Sequence, residues 1–118
     1  MIHMEGNMER VNEKEKEFRF GDAGPKYLFR GPRIEWGILV LKPGGSLGAH
    51  FHKEVEETFY FLEGKGKLII DGTEYPGGAG EAFRLEPGEK HDILNDSQSP
   101  IRAVFIKCPY KPEDKIKI

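Results

Sequence analysis

The chain reads as an all-β protein, a sandwich or barrel of short strands. Fifteen glycines and eight prolines among 118 residues supply many turn and breaker positions, more than suits a helical bundle. Between them run short segments rich in β-branched and aromatic residues, and no stretch sustains a long helical period.

In order, residues 1–16 are polar and charged, with NEKEKE at 12–17, and are expected to form a solvated tail. Residues 17–118 are expected to form one β-barrel domain, a size typical of single domains. A first short strand is expected at Phe18 or Phe20, then a turn at 21–26 (GDAGPK) and a strand at 27–29. IEWGILVL at 34–41 is the first strong strand signal, ended by Pro43-Gly44. Residues 47–52 form a strand carrying two histidines, 53–56 turn, and ETFYFL at 57–62 returns. Gly64 and Gly66 bracket a tight turn into a strand at 67–71, and Asp71-Gly72 predicts a hairpin into 73–75. PGGAG at 76–80 reads as a loop, and strands at 81–85, 91–94 and 101–107 complete the barrel. No internal repeat is visible.

Composition narrows the partners. A net charge of −2, without a basic stripe interleaved with aromatics, argues against nucleic acid. No apolar run approaches the ~20 residues of a membrane-spanning helix. The first residues lack the apolar core of a secretory signal, and the single Cys108 excludes an intramolecular disulfide. A cytoplasmic location is therefore expected. ETFYFL and LIID carry apolar residues on both faces, so one face is expected to line the barrel and part of the other to meet a second copy. The expected assembly is a homodimer.

Chemistry concentrates in GGSLGAHFHKEVEETFYFLEG at 44–64. Residues two apart on a strand share a face, so His50 and His52 aim at one point. A carboxylate on the returning strand can join them, and GEAFRLEPGEKHDILN at 80–95 adds His91. Among Glu54, Glu56 and Glu57, alternation puts Glu57 on the face of Phe59 and Phe61, where water would be excluded. Glu56 would instead share a face with Thr58 and Tyr60. These residues together point to a mononuclear metal site.

The spacing of these residues resembles the cupin superfamily, in particular small, single-domain, RmlC-like cupins with both metal-binding motifs. Gly44, His50, His52, Glu57 and Gly64 match its first motif. Gly80, Gly88, His91 and Asn95 match its second, except that the motif's proline position holds Glu86 and the proline stands at Pro87. The resemblance implies a double-stranded β-helix, or jelly-roll barrel, a dimeric assembly, and metal ligation by His50, His52, Glu57 and His91. It also implies relatives that are dioxygenases, decarboxylases, isomerases or non-catalytic binders of sugars and acids.

Three imidazoles and one carboxylate suit one divalent transition metal: manganese, iron, cobalt, nickel or zinc. Such an ion with one carboxylate leaves a charge of about +1, favouring a small anionic or enolisable ligand. Trp36, Phe59, Phe61 and Phe83 are candidates to line the pocket. Arg30, Arg33, Arg84 and Arg102 are candidates to hold a substrate carboxylate, and Tyr60 to donate a hydrogen bond. Asn95 shares the His91 face, where it either supports the site or opens the turn NDSQSP. No nucleophilic triad is visible, and no catalytic residue beyond the ligands stands out.

Overall fold

A computed structural model describes residues 2–118. The first half of the chain forms β1 (His3–Glu5), β2 (Met8–Arg10), β3 (Gly24–Arg30), β4 (Glu35–Leu41), β5 (His50–His52) and β6 (Glu56–Glu63). The second half forms β7 (Lys65–Ile70), β8 (Thr73–Gly78), β9 (Ala82–Leu85), β10 (His91–Leu94), β11 (Ile101–Cys108) and β12 (Lys115–Lys117). One 3₁₀ turn, Glu13–Glu15, is the only helical element among the described residues, and none is long and apolar enough to cross a membrane.

Two five-stranded antiparallel sheets carry the fold, one ordered β12-β5-β10-β7-β8 and the other β3-β4-β11-β6-β9. Leu68 and Ile93 of the first sheet meet Leu39, Phe59, Phe61 and Phe105 of the second in one buried core. Strand alternation explains this segregation: on β6, Glu57, Phe59 and Phe61 are buried while Tyr60 and Leu62 face outward. The all-β sandwich expected from the sequence is thus the observed fold.

Several elements differ from expectation. Residues 3–10 are solvated, as expected, but are ordered as a hairpin turning at Gly6-Asn7. Gly6 has φ 62°, the conformation that a II′ hairpin turn demands at its first central position. The following 3₁₀ turn is capped by Asn12, and Glu13 ties it to the barrel through Arg102 at 2.5 Å and Lys26 at 3.3 Å. The strand expected at Phe18 or Phe20 is only an isolated bridge from Phe18 to Gly21, and β3 begins earlier, at Gly24. PGGAG is not wholly a loop, because β8 runs on through Pro76 to Gly78. Pro76 is tolerated there because β8 is an edge strand and needs no outward donor. Strand β12 was not foreseen; it pairs with β5 and forms the other edge of that sheet.

Gly64 closes the first motif with φ 86°, and a Cβ there would collide with the Pro100 carbonyl. Gly64→Ala should therefore cost more than the ~1 kcal/mol of an ordinary glycine replacement, read as a lower midpoint in denaturant unfolding.

Candidate metal centre

His50, His52 and His91 come from one sheet and Glu57 from the other. β5 and β10 pair with His50 directly opposite His91, and His52 follows two residues on, facing the same way. β6 brings Glu57 across the interior to meet them. Its Oε1 lies 3.1 Å from His91 Nε2, 3.2 Å from His52 Nε2 and 3.7 Å from His50 Nε2. The four side chains are buried, and their donor atoms lie within 4.8 Å of one another. The structure thus gathers all four residues that the motifs singled out. Glu54 stays outside, paired with Lys111 at the surface, and Glu56 lies on the opposite face of β6 from Glu57.

The ring orientations suit a cation. His50 Nδ1 lies 2.7 Å from the Gly48 carbonyl and His91 Nδ1 lies 3.0 Å from the Glu89 carbonyl. A carbonyl only accepts, so each Nδ1 donates and each ring turns its other nitrogen, Nε2, toward Glu57. Burial, followed by the His91 charge, pushes the His50 imidazole below its ordinary pKa, against the pull of Glu57 and Gly48. Burial alone would raise the Glu57 carboxyl, but the three imidazoles and Lys107 outweigh it and hold the group well below the usual carboxylate range. A divalent ion among the three Nε2 atoms and this carboxylate would take over that stabilisation of a charge buried in a dry interior. Ligands about 2.1 Å from a shared ion stand roughly 3.0–3.4 Å apart at right-angled or tetrahedral geometry, which the Glu57 spacings to His91 and His52 match. The residues present therefore fit one divalent metal ion.

Neighbouring groups fix these side chains in place. The Asp114 carboxylate accepts from the backbone N–H groups of Lys53, Glu54 and Val55, at 3.2, 2.8 and 3.0 Å, which pins the turn from His52 to Glu57. Gly88, with φ 89°, donates its N–H to the His52 carbonyl at 2.7 Å just before His91. Phe59 packs edge-on to His91 with ring centroids 6.3 Å apart. Asn95 does not touch the ligands: its Nδ2 donates to the Leu41 and Ser99 carbonyls and its Oδ1 accepts from Ser97, so its role is to close the 95–99 turn.

A cavity of about 340 Å³ reaches His50 and Glu57 between the sheets. Tyr27, Leu39, Leu41, Leu47, Phe59 and Phe105 supply much of its apolar wall. Of the four aromatic residues expected to line a pocket, Phe59 does so, whereas Trp36, Phe61 and Phe83 do not. None of the four candidate arginines lines it either: Arg30 is held by Glu35 at 2.9 Å, Arg102 by Glu13, and Arg84 lies 3.8 Å from Glu86. Tyr60 faces outward, away from the ligands. The basic residues at the cavity are instead Arg19, Lys107, Lys115 and Lys117, which were missed. The alternating KIK at the C-terminal end of the chain was the available signal for two of them. Burial, then the charges of Lys107 and Arg19, pushes the Lys115 ammonium below its ordinary pKa.

Fold and site together define a double-stranded β-helix holding a buried cluster of three histidines and one glutamate. The cupin domain model matches residues 37–107, more than half of the chain, and the chain belongs to that family. It is 30% identical over 80 residues to the tetracenomycin polyketide synthase protein TcmJ of Streptomyces glaucescens, covering 68% of this chain and 54% of that protein. It is 34% identical over 68 residues to an oxalate-binding protein of Thermotoga maritima, covering 58% and 56% of the two chains. The chain thus spans little more than half the length of either relative. The polyketide cyclase RemF of Streptomyces resistomycificus shares the fold, with TM-score 0.76 and 22% identity over 94% of this chain and 85% of that one.

His52→Ala should lose most of the roughly one metal equivalent per chain expected for such a site, while Glu54→Ala should retain it. Elemental analysis of protein purified without chelator or nickel resin reads the difference. Equal metal in both variants contradicts the ligand assignment.

Proposed function

We propose that this cupin is a metal-dependent enzyme acting on a small, oxygen-bearing anion, with His50, His52, Glu57 and His91 holding one divalent transition metal. The observation that carries the reading is the cavity, which leads from an apolar and basic lining to two of the four ligand residues. Cavities that pair apolar walls with a few convergent polar groups are the usual form of small-molecule sites. A bound divalent ion would supply Lewis acidity toward a substrate oxygen. The protein's own part is to hold the ligand set rigid, to exclude water with Phe59 and Phe105, and to offer positive charge to the anion. Dioxygenase, decarboxylase and isomerase chemistry are all served by this ligand set. The polyketide-synthase relative supports a substrate rich in carbonyl and enol oxygens.

A second reading, a non-catalytic carboxylate binder, is favoured by the oxalate-binding relative. Metal-reconstituted protein incubated with 2-keto acids, β-diketones and dicarboxylates separates the two, followed by oxygen uptake, carbon dioxide release and NMR of the substrate. The enzymatic reading expects at least one compound to be consumed, with the activity lost in His52→Ala. Saturable binding with no compound consumed favours the binder.

We also infer a homodimer formed through the outer face of β6 and β11. Tyr60, Leu62 and Ile106 are 43, 41 and 38% exposed on that face, beside Val104. A contiguous apolar strip on a small sheet is a common mark of an interface. Light scattering should show a dimer for the wild type and a monomer for Leu62→Glu. A monomeric wild type at micromolar concentration contradicts the inference.

A further inference from the structure

We propose that Lys115 and Lys107, with Arg19 at the mouth, form an anion subsite that receives the carboxylate of a substrate whose body is apolar. The proposal rests on reading the cavity as the entrance to the metal centre.

Register places the two lysines. Lys107 of β11 lies directly opposite Glu57, and Lys115 of β12 lies directly opposite His52. Directly opposed residues on antiparallel strands send their side chains to the same face, with Cβ atoms about 4.5–5.5 Å apart. Both cations are therefore delivered beside a metal ligand, from opposite sheets, and both line the cavity.

Charge is unbalanced there. Four basic side chains line the cavity, against Glu57 as its one acidic side chain, although the whole chain carries a net charge of −2. Glu57 is committed to the histidines. Lys107 donates to the Tyr27 hydroxyl at 3.0 Å, and the nearest carboxylate, Glu35, is 3.9 Å away and already bonded to Arg30. Lys115 and Arg19 have no side-chain hydrogen bond or ion pair among the described residues. Cations crowded at a half-buried site with fewer counter-ions than charges repel one another, and an anion bound between them relieves that repulsion.

The rest of the wall sets the body of the ligand. Tyr27, Leu41, Leu47, Phe59 and Phe105 offer apolar surface and few hydrogen-bonding groups. A fully polar diacid would leave that surface against water. An acid with an aromatic or aliphatic body covers it and still places its carboxylate on the lysines.

The test is calorimetric titration of the intact protein with 3-phenylpropionate, its neutral isostere 3-phenylpropanamide, and acetate. The acid should bind wild type about tenfold or more tighter than either the amide or acetate, and Lys115→Met should remove that advantage without weakening the amide. Arg19→Met, at an exposed position, should reduce the acid's advantage in the same direction and serves if Lys115→Met does not fold. Equal affinity for acid and amide, acetate binding as well as the larger acid, or an advantage unchanged in both variants overturns the subsite. Repeating the titration on chelator-treated protein separates the two readings. Fixed side-chain charges keep the preference for the acid without metal, whatever becomes of the metal-dependent function. Loss of that preference on metal removal overturns the subsite.

Discussion

The carboxylate of Glu57 is the constraint around which the barrel is arranged. It is only 3% exposed, and an ionised carboxylate withdrawn from water costs several kcal/mol unless it is paired. Phe59 and Phe61 flank it along β6, and their burial contributes roughly 1.5–3 kcal/mol each, enough to carry the strand inward with its charged residue. The compensating groups then have to arrive from the opposite sheet, which is what the pairing of β5 with β10 achieves. Three imidazole edges converge on one oxygen, with two ring orientations fixed by backbone carbonyls. The site thus spans the two sheets at one end of the core and depends on their relative placement.

Much of the fold was legible because burial leaves a period. IEWGILVL, ETFYFL and the strand at 101–107 announce themselves through β-branched and aromatic residues, and Asp71-Gly72 turns as its sequence requires, with φ 48° and 84°. The elements that escaped notice lack such a period. Every residue of β1 and β2 is exposed, so the hairpin rests on the Gly6-Asn7 turn and not on an apolar face. β12 has three residues, and its alternation acquires meaning only beside β5.

The ligand set was legible for a related reason. His-x-His fixes two side chains on one face whatever the tertiary context, and only Glu57 among its neighbours shares a face with the buried phenylalanines. The charges around the cavity were not. Arginines near the strands looked available, but Arg30 and Arg102 are satisfied by Glu35 and Glu13, the latter in a segment that reads as solvated. Lys107 and Lys115 reach the site through cross-strand register, a long-range property that neither residue's local sequence reveals.

Membership of the cupin family accounts for the scaffold and for the order of the motifs, and the chemistry rests on whether the converging donors hold an ion. Anomalous diffraction from a crystal of the purified protein, recorded at the absorption edge of whichever metal it contains, addresses that most directly. A single peak about 2.0–2.2 Å from the three Nε2 atoms and from a Glu57 oxygen is the expected result. A peak elsewhere, or protein soaked with manganese, iron and zinc that shows none between the two sheets, would contradict a metal centre at these four residues.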